Sequence, residues 1–335
     1  MILASRLAAL RKSRYNSSFY LRQMVVTHGS ALPVGGAQAL TIGNFDGVHL
    51  GHQAMLARVV GEARARRLKS CVLTFEPHPR EFFAPDAAPA RLSRLREKLE
   101  LVAASGIDHV HLARFDARFA SLAADRFVED VLVRGLGVQW LLVGRDFRYG
   151  ARRAGDFAAL EREAVRHGFT LEAMPEVKAE GERISSSSVR EALLAADFKR
   201  AERLLGRPYM LSGRVAHGAK LGRKLGFATA NLMLRRRAPL AGIYVVEASG
   251  ADANDGGRWL PGVASVGRRP TVNEVAVPLL EVHLFDIAEE LYGRHLRVRF
   301  IERLRDEAKY PDLEALRAAI ARDVAQAKEF FAKHG

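Results

Sequence analysis

The sequence predicts an α/β protein. A Rossmann-like N-terminal domain with a parallel sheet is followed by a C-terminal antiparallel β-barrel with a terminal helix. Three observations predict this. Strand-like and helix-like runs alternate at short intervals through about residue 175, the pattern of a parallel sheet with helices on both faces. Near residue 207 the pattern changes to strand-like runs separated by Gly, Pro, Asn and Asp, with no helix-like run between them. That is the grammar of an antiparallel barrel or sandwich. A last amphipathic stretch, 312–331, follows Pro311, which suits a helix start.

The elements follow in chain order. Residues 39–45 (ALTIGNF) read as a buried strand, bounded by Gly35 and Gly36 before it and Gly43 near its end. Residues 52–67 place Met55, Leu56, Val59, Val60 and Ala63 on one helical stripe. Residues 69–79 (KSCVLTFEPHP) are strand-like until Pro77 and Pro79 stop the run. Residues 96–106 read as a helix ending in Gly106. Residues 109–115 alternate as a strand, 124–137 read as a helix, and 138–144 (VQWLLVG) as an apolar strand. Residues 187–206 read as two short helices closing the unit. Beyond them, 207–218, 242–250, 258–267, 278–286 and 295–304 read as strands. In 295–300, His295, Arg297 and Arg299 alternate with Leu296, Val298 and Phe300, as a half-buried strand requires. The expected division is a basic extension 1–24, an α/β domain 25–206 and a barrel domain 207–335.

A chain of 335 residues with 48% hydrophobic content is long enough for two cores of ordinary size. No apolar run approaches the roughly 20 residues of a membrane helix, so no membrane partner is expected. The single cysteine, Cys71, excludes an intramolecular disulfide and fits a reducing, cytoplasmic setting. The net charge of +14 points to anionic partners. Residues 1–22 carry Arg6, Arg11, Lys12, Arg14 and Arg22 and no acid, and the first acidic residue is Asp46. A transit peptide looks like this, but no cleavage pattern accompanies it, and the plainer reading is an extension ahead of the first strand. An RNA-binding reading needs a basic face with stacking aromatics. Aromatics make up 8% and sit mostly in apolar runs, so no nucleic-acid partner is expected.

The chemistry concentrates at residues 43–53, GNFDGVHLGHQ. A strand that turns into a helix presents free N–H groups and a positive dipole end, which is a phosphate site. Gly43, Gly47 and Gly51 remove side chains where a nucleotide approaches the backbone. His49 and His52 lie about one turn apart, so both rings can face that spot. Imidazoles there donate to phosphate oxygens and stabilise charge that builds during transfer. Zinc is a poor reading, because no ligand set follows at zinc-site spacing.

The stretch TIGNFDGVHLGHQ resembles the signature of the HxGH nucleotidyltransferases. More narrowly, it is similar to the adenylyltransferase module of the prokaryotic bifunctional riboflavin kinase/FAD synthetases. Three further stretches agree in order. TFEPHPREFF (74–83) resembles the block lining the flavin side of the cleft, which assigns Phe75, Pro77 and His78 to flavin. LLVGRDFRYG (141–150) resembles the block that sets Asp146 near the nucleotide. RISSSSVR (183–190) resembles the family's Ile-Ser-Ser-Thr-x-x-Arg, with Ser187 in place of threonine. The resemblance gives Ser186 and Ser187 a phosphate-binding role and Arg190 the neutralisation of the triphosphate, and adds Phe45, Asp46 and the three glycines to the nucleotide site.

The second half carries the same resemblance. GRVAHGAKLGRKLGFATANL (213–232) is similar to the riboflavin kinase block, whose usual tetrad is Pro-Thr-Ala-Asn; here it is Ala228-Thr229-Ala230-Asn231. The resemblance makes Gly222, Thr229 and Asn231 nucleotide-binding, with Thr229 and Asn231 as oxygen ligands of Mg²⁺. Ala228 removes a fixed φ angle but no ligand. PGVASVGRRPTV (261–272) matches a further block, with Ser265 in place of asparagine and Arg268 in place of threonine, while Arg269, Pro270 and Thr271 agree. Glu281 in LLEVHLFD stands at the family's catalytic carboxylate, and Arg303, in the closing stretch 291–310, is assigned to flavin. The implied function is phosphorylation of riboflavin to FMN, then adenylyl transfer from ATP to FMN giving FAD and pyrophosphate. ATP is the co-substrate and Mg²⁺ the cofactor. Other HxGH adenylyltransferases share the histidine motif but lack a barrel bearing Thr229, Asn231 and Glu281.

Overall fold

The computed structural model describes residues 23–29, 36–218, 222, 225–234, 236–251, 258–269, 277–287 and 290–334. The basic stretch 1–22, Gly35, Pro270 and Thr271 lie outside the described residues, as do the side chains of Arg268 and Arg269.

The N-terminal sheet holds β1 (Val25–His28), β2 (Gln38–Ile42), β3 (Lys69–Glu76), β4 (His109–Arg114), β5 (Val138–Gly144) and β6 (Thr170–Met174). Their spatial order is β1-β4-β3-β2-β5-β6, and every neighbouring pair is parallel. Adjacent residues of one strand enter different cores. Leu40, Leu73 and Leu141 join Val128, Leu132 and Leu160, whereas Ala39, Val72 and Leu142 join Leu56, Val59 and Val102. This period of two, apolar on both faces, explains why the central strands read as unbroken hydrophobic runs.

Helix α1 (Leu50–Arg66) buries Leu56, Val59, Val60 and Ala63 and ends where Arg67 turns left-handed. Helices α2 (Pro79–Phe83), α3 (Leu95–Ala104) and α4 (Phe157–His167) follow. The helical reading of 124–137 resolves into a short α turn and a π-helix, Phe127–Gly135. Strand β2 stops at Ile42 rather than at residue 45. Phe45 and Val48 take positive φ, 48° and 39°, and are 0% and 1% exposed. Core packing of these two side chains offsets the cost of a backbone that L-residues rarely adopt. A small hairpin, β7 (Lys178–Ala179) with β8 (Glu182–Arg183), follows β6.

The second architecture is a closed barrel in the order β10-β13-β12-β11-β14-β9. Its strands are β9 (Met210–Ala216), β10 (Ala230–Met233), β11 (Gly242–Ser249), β12 (Leu260–Arg269), β13 (Val277–Leu284) and β14 (His295–Arg305), all paired antiparallel. Helices α5 (Ser186–Leu194) and α6 (Phe198–Leu205) precede it, and α7 (Leu313–His334) ends the chain. The Asp312 carboxylate caps α7 by accepting the Ala315 N–H at 2.8 Å.

The described residues form two compact units. One holds those before Ala90 together with Leu95–Ser185, and the other holds Ala90–Arg94 together with everything from Ser186 on. Helices α5 and α6 thus group with the barrel. Phe198 packs against Tyr244 and Phe300 of the barrel at 5.8 and 6.3 Å between ring centroids.

Candidate active sites

In the α/β unit, His49 is the N-cap of α1, and its Nδ1 accepts the His52 backbone N–H at 3.3 Å. A ring nitrogen that accepts carries no proton, so the proton of this imidazole sits on Nε2. The His52 ring stacks on His49 with centroids 3.7 Å apart and 16° between planes. The buried Phe45 ring props His52 at 4.9 Å. Burial, then the neighbouring His49 and Lys98, hold the His52 pKa well below the usual histidine value. His52 Nδ1 is buried without a hydrogen-bond partner. The first turn of α1 contains no acidic side chain, so nothing there offsets the positive end of its dipole. A Cβ at Gly51 would lie 3.2 Å from His49 Nδ1 and 3.6 Å from the Ile184 carbonyl oxygen. Asp46 is buried and Gly47 takes φ 78° in the turn.

The flavin-side residues are set by local structure. Phe75 stands within 6 Å of Phe115 and Phe119 in an aromatic cluster. His78, just after Pro77, caps α2: its Nδ1 accepts the Arg80 N–H at 3.0 Å while its own N–H donates to Glu81. Asp146 is exposed and pairs with Arg183 at 3.2 Å. A Cβ at Gly144 would approach Asp146 Oδ1 to 2.7 Å and push that exposed carboxylate aside. Ser186 and Ser187 open α5, as the cap-like serine run implies. Arg190 is on the same helix, and its Nε donates to the Ala90 carbonyl at 2.7 Å. These three belong to the barrel-bearing unit.

In that unit a cavity of about 380 Å³ opens on one face of the barrel sheet. A single row of paired residues crosses it. Asn231 on β10 pairs with Glu281 on β13, and Glu281 with Ser265 on β12. Ser265 pairs with Ile243 on β11, and Ile243 with Arg305 on β14. All five line the cavity. The alternate positions Leu232, Ala264, Val266, Leu280 and Val282 are buried and fill the barrel. Asn231 Oδ1 is buried without a partner, a vacant acceptor for a ligand in the cavity. Thr229 lines the same space. At Gly222 a Cβ would fall onto the Phe227 carbonyl oxygen and 3.1 Å from Thr229 Oγ1. The loop at Ala228 is tied without proline, since His283 Nδ1–H donates to the Ala228 carbonyl at 2.9 Å.

Arg303 pairs with Tyr244 across β11 and β14 and forms an ion pair with Asp306. A register shift between Ile243 and Tyr244 changes the pairing there, and it is Arg305, with Glu307 and Tyr310, that lines the cavity. All three lie in the closing stretch 291–310, of which the resemblance named only Arg303 by residue. Glu307 faces Ser265 across 3.5 Å, and burial raises its carboxyl pKa. The partner of Arg305 is Asp323, on α7, and no motif spacing links two such positions.

The fold and these constellations define a class: a nucleotidyltransferase-like α/β module carried on one chain with a phosphotransferase-like barrel. Residues 34–188 match the family described as FAD synthetase, and residues 205–331 match riboflavin kinase. The bifunctional riboflavin kinase/FMN adenylyltransferase of Escherichia coli strain K12 is 50% identical over 87% of this chain and 92% of its own. That of Pseudomonas fluorescens is 52% identical over 86% and 91%. The chain belongs to the bifunctional riboflavin kinase/FMN adenylyltransferase family. A crystal structure described as a macrolide-efflux protein from Streptococcus pneumoniae shares the fold, with a TM-score of 0.71 and 26% identity, covering 90% of this chain and 97% of that one. Among the described residues, no helix is long and apolar enough to cross a membrane.

Proposed function

We propose that the chain makes FAD from riboflavin in two consecutive ATP-dependent steps, one at each module, and that 25–206 and 207–335 are the corresponding domains. Family membership supports both activities. The observation that carries the assignment of residues is the cross-strand row that sets Asn231 beside Glu281.

In the kinase step Glu281 accepts the proton of riboflavin's 5′-hydroxyl as that oxygen attacks the γ-phosphorus of ATP, and ADP leaves. Asn231 Oδ1 and the Thr229 hydroxyl suit Mg²⁺, a hard cation that shares its shell with water and substrate phosphates. Bound there, the ion supplies neutralisation of the transferred group's charge. Gly222 lets the backbone approach ATP closely.

In the adenylyl step a phosphate oxygen of FMN attacks the α-phosphorus of ATP. The bond to the β-phosphate breaks and pyrophosphate leaves, so no protein nucleophile is needed. His49 donates through Nε2–H, and His52 stands beside it as a neutral imidazole. The start of α1 suits a phosphate, and Ser186, Ser187 and Arg190 on α5 keep the phosphate-binding roles that the resemblance gives them. Gly43, Gly47 and Gly51 admit the nucleotide, and Asp46 and Asp146 border it. Phe45 contributes by propping His52. Phe75, Pro77 and His78 form the flavin side here, and Arg303 stands near the flavin in the kinase module. The cytoplasm, where the flavin and ATP pools meet, is the proposed location.

Purified protein with riboflavin, ATP and Mg²⁺ should yield FMN and then FAD by chromatography. His49→Ala with His52→Ala should stop at FMN. Glu281→Ala should make nothing from riboflavin yet convert supplied FMN. Equal loss of both products in both folded variants would refute the assignment of steps to modules.

A further inference from the structure

Thr229 and Asn231 both line the kinase cavity, but the backbone holds them differently. The ladder between β10 and β13 ends at Ala230, opposite Val282. Asn231 lies inside it, paired with Glu281, and Thr229 lies one residue outside. On the other side the turn closes on Gly222, whose carbonyl accepts the N–H groups of Leu225 at 3.1 Å and Phe227 at 2.8 Å. Ala228 and Thr229 stand between these two anchors, and Ala228 has no ring to fix its φ. The side chain of His283 on β13 crosses the gap. Its Nδ1 lies 2.9 Å from the Ala228 carbonyl oxygen. A carbonyl only accepts, so that nitrogen carries the proton. The imidazole is held in turn: Phe227 meets it edge-on at 5.6 Å, and Phe285 stands 5.8 Å away. His283 follows Glu281 by two residues and both line the cavity, as alternate positions on one strand face do.

We propose that His283 is a positioning residue for the kinase step: through the Ala228 carbonyl it locks Thr229, the residue that would meet ATP's phosphates and Mg²⁺, onto the strand that carries Glu281. The inference rests on the kinase reading above. Without the bond, Ala228 and Thr229 regain backbone freedom, and a ligand that needs the Thr229 hydroxyl in one place must order it again on binding. A proline at 228 would remove the same freedom by another route. Among the described residues no group accepts the Ala228 N–H, so a ring there breaks no hydrogen bond. The bond from 283 and a ring at 228 therefore restrain one segment and can replace each other in part. A plain packing role fits less well, because a phenylalanine at 283 could pack against Phe227 and Phe285 yet could not donate.

The test uses the full chain with His283→Phe, which keeps a ring and loses the donor, with His283→Asn, which keeps a short N–H donor, and with the double variant Ala228→Pro/His283→Phe. Calorimetric titration with ADP in the presence of Mg²⁺ reads the site without turnover. The adenylyl module is the same in every variant, so differences belong to the barrel. His283→Phe should weaken ADP binding about fivefold to tenfold, the scale of one hydrogen bond. The KM for ATP in FMN formation should rise to match, while the KM for riboflavin stays within about twofold of wild type. His283→Asn should lose less, and the double variant should regain most of the loss. Conversion of supplied FMN to FAD should be unchanged throughout. Unchanged ADP affinity in folded His283→Phe overturns the proposal, and so does a double variant that regains nothing. A fall of both activities together with the melting temperature also overturns it, because that marks general destabilisation. If His283→Phe does not fold, His283→Ala decides by the same titration. Failure of the wild type to phosphorylate riboflavin would refute the kinase reading instead.

Discussion

His49 Nδ1 is occupied by the His52 amide, so His49 can meet a phosphate only through Nε2–H. His52, stacked on it and buried, resists protonation for the same reason that the pair packs so closely: a cation there would face desolvation, a neighbouring imidazole and the Lys98 charge. His52 is therefore held neutral, beside the positive end of the α1 dipole. The pH dependence of the adenylyl step follows. A catalytic imidazolium with an ordinary pKa near 6.5 would lose activity as the pH rises from about 6 to about 8. With the His52 pKa lowered, no such loss is expected from that ring over that range, and kcat for FMN adenylylation should show no inflection from His52. His49→Ala should still cost on the order of 10²–10³ in that kcat, the scale of one lost transition-state donor. On the kinase side, Gly222→Ala should abolish FMN formation by pressing a methyl against the Phe227 carbonyl, while FMN adenylylation persists. Both are read by the two single-step assays.

Edge strand β1 shows what an element-scale contact does to stability. Thr27 Oγ1 bridges His109 Nε2 at 2.7 Å and His111 Nδ1 at 2.8 Å on β4. Burial, then His111, pull the His109 pKa down to about 4. Above about pH 6.5 the ring is neutral folded or unfolded and makes no difference. As the pH falls from there towards about 4, the unfolded chain binds a proton that the folded chain refuses, so stability drops. His109→Gln should flatten that acid limb in denaturant melts. At α7, Asp312→Ala should cost about 1 kcal/mol through the lost cap. The same scale shows what the sequence can and cannot disclose. The stripe Leu56, Val59, Val60, Ala63 announced α1, because helical period and burial coincide there. Glycine and histidine chemistry marked the α1 turn, and Thr229, Asn231 and Glu281 were legible by resemblance. Strand β10 escaped notice because four residues carry too little periodicity. The alignment of Asn231, Glu281, Ser265, Ile243 and Arg305 was invisible because register between distant strands is set by pairing. Arg305 was hidden further by the bulge that shifts β14 against β11.

At the scale of the whole molecule, the two sets of groups lie on separate stretches of chain. His49 and His52 open α1 of the N-terminal sheet unit, whereas Asn231 and Glu281 sit in the barrel. A lesion in one set leaves the other chemically intact. FMN is a stable product with its own phosphate nucleophile, so chemistry alone does not require that it pass between sites without release. Mixing full-length Glu281→Ala protein with full-length His49→Ala/His52→Ala protein should therefore restore FAD synthesis from riboflavin. The second protein supplies FMN and the first adenylylates it. FAD should appear after a lag that shortens as total protein rises, because free FMN must accumulate before the intact adenylyl site fills. A mixture that makes FMN but no FAD, while the Glu281→Ala protein alone still converts added FMN at the accumulated concentration, would show that FMN is held by the chain that made it. The length of the lag against protein concentration separates a diffusing intermediate from a retained one.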